Sequence, residues 1–158
     1  MRIIGIDPGT GLMGFGVIEA DHTNHTLVDA GVIRTPAKEG DAVRLQTIFE
    51  ELNDIIAQSK PTHMAVEKLF FAQNITTAMT VAQARGVAML AGQQAGLKVA
   101  EYTPLQIKQA LTGYGKAEKK QMQEMVRIIL KLKSPPKPDD CADALAAAIC
   151  HAFNQRVG

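Results

Sequence analysis

Four carboxylates stand where a folded chain gains little from them. Asp7 closes the apolar run Arg2-Ile3-Ile4-Gly5-Ile6. Glu67 falls between Met64-Ala65-Val66 and Leu69-Phe70-Phe71. Asp140 and Asp143 lie three residues apart at the start of the last helical stretch, a spacing that puts both on one face. An ionised carboxylate in an apolar setting needs a partner or a cation. Structural readings stand beside this one. Asp7 can cap the turn through Pro8-Gly9, Glu67 can pair with Lys68 or another lysine, and Asp139 is the natural N-cap after Pro138. If Asp7, Glu67, Asp140 and Asp143 converge, an all-oxygen donor set without Cys or His neighbours suits Mg²⁺, with Mn²⁺ as a substitute, and not Zn²⁺. Two such ions roughly 4 Å apart can activate water and stabilise the leaving oxygen of a phosphodiester. No serine–histidine arrangement supplies another nucleophile. His22, His25 and His63 fall in unrelated places, and His151 reads as a surface residue.

The charge distribution fits a polyanionic substrate. The 158-residue chain carries a net +1. Between Lys108 and Lys137 there are eight basic residues and two acidic ones, a net +6 that leaves −5 for the remainder. Such asymmetry suits a nucleic-acid binder, or else a solvated lysine-rich helix face. Lys108, Lys116, Lys119 and Lys120 flank the turn Gly113-Tyr114-Gly115 and are the expected phosphate contacts. No run approaches a membrane helix of about 18 apolar residues, and nothing resembles a signal peptide. Cys141 and Cys150 sit nine apart in a helical stretch, too distant to bridge, so buried reduced thiols in a cytoplasmic protein are expected.

The elements that must position these groups follow from periodicity. Strands are expected at 2–7, 15–20 and 26–34, joined by short turns into an antiparallel meander. A helix follows over 41–58, with Leu45, Ile48, Phe49, Leu52, Ile55 and Ile56 on the helical period. Further strands are expected at 63–69 and 97–102. Further helices are expected at 74–95, from Pro104 to 112, at 117–132 and from Asp139 to about Phe153, with Gly96 stopping the first of them. The order predicts one α/β domain spanning 1–158, a mixed five-stranded sheet flanked by helices. Gly9-x-Gly11-x-x-Gly14 formally matches a dinucleotide-binding fingerprint, but Phe15–Ala20 reads as strand where that motif requires helix. A hairpin turn needing positive φ is the better expectation for these glycines.

An aspartate on the first strand, a glutamate on the fourth and acids on the final helix resemble the ribonuclease H-like fold. Within it, five segments are similar to the RuvC family of bacterial Holliday junction resolvases: Arg2–Gly16, Ala65–Asn74, Gln83–Val87, Tyr102–Val126 and Asp140–Ala147. The resemblance implies a homodimer that nicks two strands of like polarity symmetrically at a four-way DNA junction, in recombination and repair. It implies Mg²⁺ and the RuvA–RuvB branch-migration complex as partner. It carries the catalytic and metal-binding roles onto Asp7, Glu67, Asp140 and Asp143, the Asp-x-x-Asp spacing selecting Asp140 over Asp139. Cys141, where a small residue such as Ala is expected, is a minor departure. Phe70 is expected to stack on an unpaired base, and the helix at 74–95, with Ala78, Ala82, Gly86 and Ala91, to form the dimer interface. Three other readings stay open. Asp7-Pro8-Gly9-Thr10 also resembles the phosphate loop of actin- and sugar-kinase-like ATPases, although those need two such halves and this sequence has no second Asp-x-Gly-Thr; the fold permits a nuclease acting on RNA, and the basic segment would equally serve a branched-DNA binding module that does not cut.

Overall fold

The computed structural model describes residues 1–68 and 75–155. Its strands are β1 (Arg2–Asp7), β2 (Leu12–Ala20), β3 (His25–Arg34), β4 (His63–Glu67) and β5 (Lys98–Tyr102). Its helices are α1 (Asp41–Ser59), α2 (Ile75–Gln94), α3 (Pro104–Thr112), α4 (Lys119–Ile129) and α5 (Asp139–Gln155). The strands form one sheet in the order β3-β2-β1-β4-β5. β1–β3 pair antiparallel, while β4 runs parallel to β1 and β5 parallel to β4. This is the ribonuclease H-like mixed sheet with helices on both faces.

Alternation along β1 explains the two layers. Ile3 faces a core built with Leu145, Ala148 and Ile149 of α5 and with Ile107 and Val126 of α3 and α4. Ile4 and Ile6 face the other core, with Ile48, Leu52 and Ile56 of α1 and Ala84, Ala88 and Ala91 of α2. A strand buried on both sides has no use for a polar alternation, which is why RIIGI is apolar throughout.

The glycines near the first turn act by absence of bulk. Neither Gly9, Gly11 nor Gly14 has positive φ; among the described glycines only Gly96 and Gly113 do, each just beyond a helix end. A β-carbon on Gly5 would lie 1.9 Å from the Ala144 carbonyl oxygen, and one on Gly16 2.5 Å from Leu145 Cδ2. Gly5 and Gly16 are register partners, so together they leave the room that the alanine-rich α5 takes up against the sheet. Gly14 lies inside β2, which starts at Leu12 instead of 15, and strand follows it, so no helix N-terminus is available for a dinucleotide.

Other boundaries moved modestly. β4 ends at Glu67, and α4 occupies 119–129 within the expected 117–132. Asp139 is the first residue of α5 and pairs with Lys119 at 3.3 Å instead of serving as the N-cap. The small residues of α2 do not share one face: Ala91 is fully buried against the sheet, whereas Ala82 and Gly86 are exposed. The two cysteines are free and buried. No described helix is long and apolar enough to cross a membrane.

Candidate active site

Asp7, Glu67 and α5 meet at one end of the sheet. Asp7 shares the α5 face of β1 with Ile3 and Gly5, and Glu67 shares the α5 face of β4 with Ala65. The Asp140 backbone lies over Gly14, the register partner of Asp7. Asp143 follows one helical turn later. Three elements thus bring four carboxyl groups to one place.

Their electrostatics follow from the crowding. Burial, then the charges of Glu67 and Asp143, then a hydrogen bond with Asp140 push the Asp7 carboxyl up to about 9. Burial and the charge of Asp143 push Glu67 up to about 7, opposed by a hydrogen bond with Asp7 and by Lys108 and Lys119. Burial also raises Asp143, against the pull of Lys119. Asp7 therefore keeps its proton in hydrogen bonds with Asp140 and Glu67. Among the described residues no three Asp, Glu, His or Cys side chains are gathered as a metal-ligand set.

A cleft of about 300 Å³ opens beside this cluster. Glu67 and Asp143 line it together with Lys108 of α3 and Lys119 of α4, and Pro104, Ile107 and Met122 form its apolar wall. Lys119 is held by Asp139 and then by Asp143, which raise its pKa. Two of the four expected lysines are therefore brought to the acids. Lys120 lines a separate groove with Leu111, Tyr114 and Met125, and Lys116 is exposed on the turn before α4. Phe70 lies outside the described residues.

Sequence reasoning misread one histidine. His151 is 3% exposed, not a surface residue. Its Nδ1 is 2.7 Å from the Tyr102 hydroxyl and its Nε2 3.0 Å from His63 Nδ1. Burial and then His63 press its pKa down to about 4. The signal was available: His151 continues the apolar run from Ala144 to Ala152 on a helix buried along most of its length. Arg44 and its contacts with Thr35 were missed as well, because they join residues nine apart in sequence across separate elements.

Residues 3–151 match the family model of the crossover junction endodeoxyribonuclease RuvC. The chain is 58% identical to the RuvC of Heliobacterium modesticaldum over 154 residues, which cover 98% of this chain and 95% of that protein. It is 54% identical to the RuvC of Rubrobacter xylanophilus over 155 residues, 98% of this chain and 87% of that one. The solved structure of Thermus thermophilus RuvC in complex with Holliday junction substrate is 38% identical, covers 100% of this chain and 96% of its own, and superposes with a TM-score of 0.95. The yeast mitochondrial resolvase Ydc2, at 12% identity and a TM-score of 0.73 over 98% of this chain and 78% of its own, shares the fold. With its fold, its carboxylate cluster and these likenesses taken together, the chain belongs to the RuvC family of crossover junction endodeoxyribonucleases.

Proposed function

We infer that this chain acts as one junction-resolving domain, an endodeoxyribonuclease that nicks Holliday junctions symmetrically during recombination and repair. It hydrolyses the phosphodiester to leave 5′-phosphate and 3′-hydroxyl ends. The observation that carries this reading is the gathering of Asp7, Glu67, Asp140 and Asp143 with Asp7 pushed up to about 9. The raised value means that four negative charges are not tolerated together, so protons or cations must neutralise the cluster before a phosphodiester approaches.

The chemistry of the donors suits that need, and a bound ion would draw the four carboxylates closer together than they stand here. The donor atoms are all carboxylate oxygens, which suits Mg²⁺ or Mn²⁺. Asp7, Glu67, Asp140 and Asp143 would hold the metal, two ions per site, which when bound supplies charge neutralisation and an activated water. The chain's own residues do the rest. Lys108 and Lys119 draw the phosphate backbone into the cleft, with Lys116 and Lys120 extending the basic track along the α3–α4 edge. Pro104, Ile107 and Met122 shield one side of the reacting phosphate from bulk water. Phe70 is assigned to stacking on an unpaired base at the junction centre.

Symmetric cutting requires two such sites related by a twofold axis, so the active form is a homodimer. The exposed face of α2, with Ile75, Met79, Ala82, Gly86 and Leu90 in one stripe, supports that assembly. The RuvA–RuvB branch-migration complex is the partner this role calls for, and the cytoplasm its place of action. The test is cleavage of a labelled synthetic four-way junction with and without Mg²⁺, mapping cut sites and ends. Paired nicks at symmetric positions are expected. Binding without cutting at any metal concentration would favour a binding module, and preference for an RNA substrate would favour the RNA-directed reading.

A further inference from the structure

Arg44 stands in the second turn of α1, half-buried. Its Nε donates to Thr35 Oγ1 at 2.9 Å. The Thr35 hydroxyl in turn donates to the carbonyl of Thr10, and the Thr35 N–H donates to the carbonyl of Gly11 at 3.1 Å. Thr10 Oγ1 donates to the Thr80 carbonyl of α2 at 2.9 Å. The loop that leaves Asp7 is thereby tied to β3, α1 and α2 at once. Gly11 makes room for the guanidinium, since a β-carbon there would lie 2.9 Å from Arg44 Nη2.

This leaves an oriented cation with unused donors. Arg2, Arg85 and Arg127 each pair with a glutamate. Arg44 has no carboxylate within ion-pair reach among the described residues, and Nη1 and Nη2 bond to none of them. The guanidinium is anchored at Nε by Thr35 and lies against Gly11, and its Nη N–H groups have no partner among the described residues. A guanidinium fork fixed in this way is the side chain best suited to a phosphate.

Its placement matters. Leu12 is the register partner of Arg34, so Thr35 and Gly11 lie just beyond the end of the sheet that carries Asp7. α1 packs on the sheet face opposite α5, whereas Lys108 and Lys119 belong to the α5 side, where α3 and α4 pack. That end of the sheet therefore has a cation on each face, and a strand lying across it would meet both. We propose that Arg44 binds a backbone phosphate of the cleaved strand, on the far side of the carboxylates from Lys108 and Lys119. The proposal rests on the nuclease reading.

The test measures equilibrium binding of a labelled four-way junction in EDTA across a salt series. It compares wild type with Arg44→Ala, Arg44→Gln, Arg44→Lys and, as a control at the opposite end of the sheet, Lys98→Ala. Removing one phosphate contact lowers the slope of log K against log salt by about one. Between 50 and 200 mM salt that changes the ratio of wild-type to variant affinity about threefold to fourfold. Arg44→Ala and Arg44→Gln are expected to show this loss, the glutamine variant while keeping a donor for Thr35. Arg44→Lys should keep the slope, and Lys98→Ala should match wild type. In cleavage with Mg²⁺, KM should rise more than kcat falls. Normal wild-type binding with an unchanged slope in both neutral variants would overturn the assignment of Arg44 alone. Wild type that neither binds nor cuts the junction would overturn the nuclease reading and this inference with it.

Discussion

A β-carbon on Gly14 would stand 2.2 Å from the carbonyl oxygen of Asp140. The obstacle is backbone, which no rotamer change can clear, and Gly14 is the register partner of Asp7. The missing side chain is what lets the start of α5 reach the strand that carries Asp7. Gly14→Ala is expected to push the Asp140 end of α5 outward. Overpacking of this kind destabilises by about 1–3 kcal/mol, which thermal melting would detect. Junction cleavage should fall by far more than that loss implies, because the carboxylates are separated even in molecules that remain folded. Cleavage at the wild-type rate by the folded variant would show that the close approach is not needed.

The raised pKa values make a prediction about pH. Asp7 in the folded chain holds its proton up to about 9, whereas the unfolded chain releases it at the ordinary carboxylate value of 3.8. Between those values the native state binds more protons than the unfolded one. Without divalent metal, this contribution to stability is therefore greatest at low pH and is lost as pH rises from about 4 toward 9. Glu67, raised to about 7, acts in the same sense over a narrower window. Asp7→Asn removes the largest part of the slope, so the variant should be more stable than wild type at pH 8 in EDTA. It should still bind a four-way junction and should not cut it. Mg²⁺ should raise the melting temperature of wild type at pH 8 and that of Asp7→Asn much less. A wild-type stability in EDTA that rises between pH 5 and 8 would contradict the hydrogen-bonded arrangement.

These two cases mark what was readable from residues alone. The four acids announced themselves because each breaks an apolar or helical pattern, and the order of strands and helices followed from period and breakers. The reason for Gly14 did not, because it is set by the Asp140 backbone 126 positions along the chain. Spacing suggested torsional freedom where the need was for room. The division among the lysines was hidden for a related reason. Lys119 and Lys120 are neighbours in sequence, yet only Lys119 lines the cleft with Glu67 and Asp143, while its neighbour lines the separate groove. Asp139 likewise looked like a cap until Lys119 was found beside it.

His151 should govern the acid limb of stability. Its folded pKa is pressed to about 4, below the ordinary imidazole value of 6.5. The stability it contributes is therefore present above about 6.5 and lost as pH falls toward 4. That sign is opposite to the effect of Asp7. His151→Gln leaves the Tyr102 hydroxyl and the His63 ring with an altered partner, and breaking a buried hydrogen-bonded set destabilises by about 1–3 kcal/mol at neutral pH. The same variant should lose less stability than wild type between pH 6.5 and 4. Urea denaturation at several pH values separates the two effects. Parallel pH profiles for wild type and variant would mean that His151 is not held neutral.

The last prediction concerns α2. Its inner face is fixed by Ala84, Ala88 and Ala91, all fully buried on the sheet. Its outer face leaves Ile75 72%, Met79 61% and Leu90 51% exposed, with Ala82 and Gly86 between them. A helix apolar on both faces is suited to a second partner. Nothing within 4 Å would meet a β-carbon on Gly86, so a larger residue there is accommodated within the chain itself. Met79→Glu and Gly86→Leu should therefore leave folding intact while weakening self-association, the first by burying a charge and the second by holding the two helices apart. Sedimentation velocity should show a shift toward monomer in both. On a synthetic junction the monomeric variants should leave single, unpaired nicks, since one site at a time reaches a strand. Variants that stay dimeric, or monomers that still cut both strands together, would place the twofold contact on another surface.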